Sequence, residues 1–365
     1  MIRHESIRFK LLRGGVEYGE LFAGDNVPVL MMNSSGEIKM SLQGEFFAQA
    51  VDLHGKPVEV DWMADEIEPV LKIDETEKPL GILMPAKISN SKTKTGETVM
   101  IQAYDRCWTI RDNKLDTSLY YPAETPYLDA VESLLTACGV TGIIKTPSDE
   151  VMAENREDWQ TGESYLTVIN QLLSEINYKQ LWFNQDGVAI LEPKDVPKAE
   201  NIKHVFTDKP INPRIPKEVE AIKIYPAVSR EIDIYSTPNV FVCICSNADK
   251  STGMKATAEN RNPQSPLSIS RRGRKIVKVV NVKNIANQTA LQVYANNLLN
   301  ETMMVGETIQ IDTQLMNGFG VGEAVAIRSD DEIGGICLEQ SWSMQLTPGG
   351  TMTHTLEKVV LNIDV

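Results

Sequence analysis

Two distant stretches of the chain share one rhythm of apolar and polar positions. The first runs from Leu80-Gly81-Ile82-Leu83 to Thr95-Gly96-Glu97-Thr98 and on through Val99-Met100-Ile101-Gln102-Ala103, and the second from Gly334-Gly335-Ile336-Cys337 to Gly349-Gly350-Thr351-Met352 and on to Leu361. In each, a glycine opens a strand-like segment and another, fifteen positions later, marks the turn into the next. That punctuation predicts a long β-hairpin in both places. In the later copy Ile336, Leu338, Trp342, Met344 and Leu346 read as one face, and Cys337, Glu339, Ser341, Ser343 and Gln345 as the other. An apolar strand approaches each copy, Val70-Leu71-Lys72-Ile73-Asp74 and Ala324-Val325-Ala326-Ile327-Arg328. The chain therefore reads as two versions of one small β unit.

Around these copies the pattern changes twice. Residues 33–60 alternate as strands, with Ile38, Met40 and Leu42 on one face and a turn at Gly55-Lys56-Pro57, so a first β-domain ends near Arg111-Asp112-Asn113. Helical spacing then takes over at Leu128, Val131, Leu134, Leu135 and Cys138, between a Thr125-Pro126 start and a Gly139 stop. A second helix over 163–177 carries the stripe Tyr165, Val168, Ile169, Leu172, Leu173 and Ile176. It precedes a strand pair around Asp186-Gly187. Prolines crowd 193–217, which reads as an ordered linker, and 247–273 is polar enough to read as a long exposed excursion. A third helix is predicted over 288–302.

Length and composition set the limits. A chain of 365 residues exceeds one ordinary core and allows two or three. No apolar run reaches the ~20 residues of a membrane helix, and nothing at Met1-Ile2-Arg3-His4-Glu5 resembles a secretory signal, so no membrane anchor is expected. Five scattered cysteines fit free thiols, and the apolar context of Cys243-x-Cys245 reads as a buried strand. The net charge of −14 argues against gripping nucleic acid, since phosphate binding depends on Lys and Arg. An acidic surface lining a channel would instead let a polyanion slide. The one basic cluster, Arg271, Arg272, Arg274 and Lys275, is read as a subunit or partner interface.

The sequence carries no recognisable catalytic, cofactor-binding or metal constellation. The four histidines are far apart, no G-x-S-x-G or phosphate-loop motif occurs, and Gly318, Gly320 and Gly322 precede a strand and so read as turn glycines. Acidic pairs such as Glu66/Glu68 and the run Asp330-Asp331-Glu332 read as decoration of turns and edges. No enzyme activity and no cofactor are expected.

The stretch Gly162-Glu163-Ser164-Tyr165-Leu166 through Leu172-Leu173-Ser174-Glu175-Ile176-Asn177 to Leu181-Trp182-Phe183-Asn184-Gln185-Asp186-Gly187 resembles the helix-hairpin module of phage tail hub proteins. That family includes contractile-tail baseplate hubs, late-control D proteins, type VI spike proteins and the N-terminal part of tail-associated lysins. The ending Ser341-Trp342-Ser343-Met344-Gln345-Leu346-Thr347-Pro348-Gly349-Gly350-Thr351-Met352 is similar to the hub's second tube-like barrel. The likeness is greatest to hubs of Gram-positive phages, prophages and phage-derived bacteriocins. It implies an α+β, mainly β fold of two tail-tube-like antiparallel barrels with an inserted helix-hairpin module. The parts would be 1–117 as first barrel, 118–197 as helix-hairpin, and 198–365 as linker and second barrel with the helix at 288–302. It further implies a homotrimer whose six barrels join a six-fold tail tube to a three-fold tip or spike, a symmetry adaptor. Tape measure and DNA would pass through its channel without specific binding. The implied location is the virion tail, after assembly in the host cytoplasm. With the chain ending at Val365, just after the second barrel, the C-terminal hydrolase or spike of longer relatives is expected to be absent. A tail-associated peptidoglycan hydrolase and a carbohydrate receptor-binding component remain the alternatives, the second disfavoured because all five tryptophans lie in or beside apolar segments.

Overall fold

The computed structural model describes residues 3–93, 96–157, 159–194, 199–208, 220–231, 237–245, 253–282, 284–304, 307–316, 320–328 and 335–359. The N-terminal strands are β1 (Glu5–Arg13), β2 (Val16–Leu21), β3 (Val29–Asn33), β4 (Met40–Phe47), β5 (Ala50–Asp52), β6 (Pro57–Val58), β7 (Asp65–Ile73), β8 (Thr76–Pro79), β9 (Met84–Thr93) and β10 (Gly96–Tyr104). A helical part follows with α1 (Cys107–Asp112), α2 (Tyr127–Ala137), β11 (Ile143–Lys145), α3 (Tyr165–Glu175), β12 (Trp182–Phe183) and β13 (Ala189–Leu191). Next come β14 (His204–Thr207), β15 (Glu220–Glu231), β16 (Val240–Cys245), β17 (Met254–Glu259), α4 (Ile269–Arg272), β18 (Val277–Val282) and α5 (Gln288–Met304). The chain closes with β19 (Thr308–Gln314), β20 (Ala324–Arg328), β21 (Gly335–Gln345) and β22 (Thr351–Lys358).

Six strands form a closed barrel in the order β20-β14-β15-β19-β22-β21, with β21 returning to pair β20. The N-terminal strands fall into two sheets that meet at short seams. One seam joins Ala23 to Phe46 and the other Ile67 to Leu83, each a single bridge flanked by a few backbone bonds. Both predicted hairpins are present, β9 with β10 and β21 with β22, and the approach strands β7 and β20 lie beside their first arms. The glycines that open them share one backbone conformation, φ +139° at both Gly81 and Gly335. A side chain on Gly81 would also place its Cβ 2.7 Å from Met40 Sδ, so the position admits only glycine without movement.

Alternation in β21 does not run unbroken as the sequence suggests. A bulge between Glu339 and Ser341 shifts its phase, so Cys337 and Glu339 point into the barrel before it and Trp342 and Met344 after it. The proline-rich linker contains β14, all four residues of which are buried as a barrel strand. The polar excursion likewise contains β17 and α4, with Asn260, Ser265, Leu267 and Ser268 buried. These polar residues satisfy one another, Asn260 Nδ2 donating to Ser265 Oγ at 2.9 Å.

Two cores result. Leu42, Phe46, Ile101, Phe206, Met344 and Leu356 belong to one that runs under both sheet systems. Val131, Leu135, Ile169, Leu172, Phe241 and Leu291 belong to the other, which holds the helices. α2 and α3 appear where the apolar stripes place them, though Pro126 is the N-cap rather than the first helical residue. α5 packs on β16 and β17. Cys243 and Cys245 are buried in a strand as expected.

Candidate functional site

Register along β21 joins the two halves of the molecule. Its first residues pair with β20, its last with β3, and its other edge with β22 throughout. A single ladder therefore runs β19-β22-β21-β3-β4-β10. Antiparallel partners point to the same side, so outward residues line up in rows across it. One row is Asp312, Thr353, Ser343, Met31, Ser41 and Tyr104. The next sets Val29 between Gln345 and Gln43, then Gln102. Inward positions between them, such as Leu30, Leu42, Ile101, Met344 and Met352, are buried.

The outward positions of these six strands carry Ser, Thr, Gln and a few apolar side chains, with Asp312, Glu357 and Glu45 as their acids and no Lys or Arg. The acids are held in place. Thr353 Oγ1 donates to Asp312 Oδ1 at 2.7 Å, Gln340 Nε2 to Glu357 Oε2 at 2.7 Å, and Asn26 Nδ2 to Glu45 Oε2 at 2.7 Å. Burial pushes the Glu357 carboxyl above its ordinary value, only partly offset by that bond. Within these six strands the face offers a polyanion neither ion pairs nor a dense negative wall, and the nearest cation of the row is Lys87 of β9, beside Gln102 at its edge. It was missed as a site because no short motif marks it, although Thr351, Thr353 and Thr355 at alternate positions of β22 are the available signal.

The basic cluster folds largely onto its own protomer. Arg271 Nε donates to the Pro263 carbonyl at 2.9 Å, Arg272 Nη1 to the Thr237 carbonyl at 2.6 Å, and Lys275 Nζ reaches Glu259 Oε1 at 2.6 Å. Arg274 is exposed and contributes its carbonyl to Asn239 Nδ2 at 3.0 Å. The four residues lie together at the end of α4 and just before β18.

Two other arrangements have the look of chemistry. Inside the barrel His354 Nδ1 lies 3.0 Å from Glu339 Oε1 and its Nε2 3.0 Å from Thr313 Oγ1, a hydroxyl–imidazole–carboxylate line. All three residues are fully buried, so the line ties the β21 bulge to β19 and β22 and no substrate reaches it. An open cleft of about 970 Å³ lies where the helix-hairpin, α5 and the barrel meet. Its lysines are matched: Lys179 with Glu192 at 2.8 Å, Lys194 with Glu301 at 2.9 Å and Lys203 with Glu323 at 3.2 Å. Lys39 at its rim gives Nζ to the carbonyls of Ser34 and Gly36 and to Gln180 Oε1. Among the described residues no cluster of His, Cys, Asp and Glu could hold a metal, and no helix is long and apolar enough to cross a membrane. Asp330, Asp331, Glu332 and Gly318 lie outside the described residues, while Gly322 is a turn glycine at φ +63°. None of the five tryptophans is exposed.

No family model and no curated protein matches the chain. Solved structures do. The chain is similar to a tail protein from Neisseria meningitidis, with a TM-score of 0.65 and 14% identity over 97% of each chain. It is similar to the 43 kDa tail protein of prophage MuSo2 from Shewanella oneidensis, with a TM-score of 0.62 and 11% identity over 97% of this chain and 98% of that one. A third is the E. coli c3393 protein, a type VI secretion component described as similar to the T4 tail proteins gp27 and gp5. Its TM-score is 0.51 and its identity 10%, over 96% of this chain and 77% of that one. The fold is thus that of phage and prophage tail proteins.

Proposed function

We propose that this chain is a structural hub of a phage-type tail, built into the baseplate or tail tip. Its N-terminal strands count as a second barrel closed by the two seams, so three copies make a pseudo-six-fold ring between a six-fold tube and a three-fold tip. The ladder β19-β22-β21-β3-β4-β10 faces the bore, and tape measure and DNA pass over it. The observation that carries this reading is the outward face of that ladder: six strands from both halves of the chain without one cation. A bore lined with Lys and Arg would retain the DNA it must release. The fold shared with tail proteins supports the same assignment.

Native mass measurement and particle images of the purified chain test it. The expected result is a trimer with a central hole, formed alone or on added tube protein. A chain that stays monomeric with and without tube would refute the ring, and a bore faced by any surface other than this ladder would refute the channel.

A further inference from the structure

A three-stranded sheet stands apart from both large sheets, with β16 between antiparallel β17 and parallel β18. One of its faces is covered, since Phe241, Cys243, Cys245, Ala256 and Ala258 join the helical core with α5. The opposite face is open only on its β18 side. Register sets Val240 beside Val277, Val242 beside Val279 and Ile244 beside Asn281 on it, with Val240 buried and Val242 and Ile244 half-buried. Val277 is 52% exposed and Val279 56%. The two edges differ in the same way. α5 caps β17, where Gln288 and Gln292 donate Nε2 to the carbonyls of Lys255 at 3.0 Å and Thr257 at 3.1 Å. Along the outer edge of β18 no described residue takes that part. An edge strand rich in valine with open backbone groups is what sheets in water avoid.

Charge identifies what covers it. Residues 253–282 hold seven Lys and Arg against one acid, Glu259, a net of +6, so the rest of a chain at −14 carries −20. Glu259 is already occupied by Lys275 and Arg261, each at 2.6 Å. Lys255, Arg274 and Lys278 are exposed with no ion-pair partner among the described residues. Phosphate would match the cations but neither the valines nor the strand edge. A protein surface that is acidic and partly apolar matches all three.

We propose that the Val277/Val279 face and the open β18 edge receive a second copy of this chain, whose strongly acidic remainder is the complement. The inference rests on the ring reading for the number of copies, not for the surface. The contact is head-to-tail, basic sheet of one protomer on an acidic face of the next, and such contacts close into rings.

Equal amounts of ¹⁴N and ¹⁵N chain, coupled amine to carboxylate with a zero-length carbodiimide, should give mixed-isotope cross-links at Lys255, which register places on the valine face beside Ile244. Val277→Glu/Val279→Glu should melt like the parent and raise the dissociation constant of the assembly by about tenfold or more. Val277→Thr/Val279→Thr, nearly the same in shape, should weaken it in the same direction. A trimer whose affinity neither pair alters would overturn this surface and leave the ring reading standing. A dimer that both pairs dissolve would support the surface and refute the ring, whereas a parent chain monomeric at every concentration would refute both. Binding of a short DNA duplex that the charged pair abolishes, with assembly unchanged, would assign the surface to nucleic acid and overturn the proposal.

Discussion

Glu175 lies at the end of α3 where a lone carboxylate would not be tolerated. It and Arg156 are each 4% exposed and face each other fork to fork, Nη1 to Oε2 at 2.7 Å and Nη2 to Oε1 at 3.0 Å. Tyr127 Oη donates to the same carboxylate at 2.9 Å and Gln171 Nε2 at 3.2 Å. Trp159 completes the group, its Nε1 donating to Gln171 Oε1 at 3.1 Å and its ring lying 4.8 Å from the Arg156 guanidinium carbon. Glu175→Ala removes all four bonds to the carboxylate and separates a buried guanidinium from the charge that neutralises it. Breaking one side of a buried pair costs about 3–5 kcal/mol, against total stabilities of about 5–15 kcal/mol.

The loss should appear first in the helical part. Hydrogen exchange across α2 and α3 should accelerate while β4 and β22 keep their protection, and urea unfolding should begin at lower concentration. Replacing both partners, Arg156→Met with Glu175→Leu, should recover most of the loss, because an apolar pair of similar volume avoids desolvating two charges. A Glu175→Ala chain within about 1 kcal/mol of the parent, with unchanged exchange in α2 and α3, would refute the reasoning.

Leu172, fully buried in the helical core, should as Leu172→Asp cost several kcal/mol, roughly the price of an unpartnered buried carboxylate, and unfold α3 in the same exchange measurement. Gly81→Ala should destabilise by about 1–3 kcal/mol through its φ of +139° and the contact with Met40, read by urea titration. Asp105 has its carboxyl pushed up to about 6 by burial, against the pull of backbone N–H groups of Met40, Cys107 and Lys39. A folded-state value above the unfolded one means a contribution complete below pH of about 4 and lost as pH rises through about 6. The stability of the parent minus that of Asp105→Asn should therefore fall by about 2–3 kcal/mol across that window, and a flat difference would refute the assignment. Ser343→Lys with Ser41→Lys, outward on the ladder two strands apart, should leave melting unchanged and give the assembled protein salt-dependent DNA binding that the parent lacks.

What the sequence disclosed depended on how local its signal was. Both glycine-punctuated hairpins, α2, α3 and the turn at Gly187 were legible because cap, stripe and turn residues sit within a few positions of one another. The bulge at Glu339 was not, because one extra residue inverts the faces and nothing in Glu339-Gln340-Ser341 announces it. β14 was hidden among prolines that stand outside its four residues. β17 and the buried Asn260–Ser265 pair were hidden by polarity, since a polar segment can be interior when its groups bond one another. α1 was missed for its six-residue length. The candidate face was legible only strand by strand, as alternating Ser, Thr and Gln. Its continuity depends on β3 pairing β21 across some three hundred positions of sequence, which no local pattern encodes.

That pairing also explains why one strand must be long. β21 has eleven residues, and its bulge falls between the part paired with β20 and the part paired with β3. Without the phase change, the face turned into the closed barrel by Cys337 and Glu339 would continue past Ser341. Trp342 and Met344 would then turn outward, toward the row of Met31 and Ser41. With it, those two large side chains go into the core shared with Leu30 and Leu42, and Ser341, Ser343 and Gln345 take the outward row. The fully buried Glu339–His354–Thr313 line braces the strand at that point by satisfying polar groups that the irregular ladder encloses. A local irregularity in one strand thus lets a closed barrel merge with a neighbouring sheet and keeps a single polar face free of cations across the join.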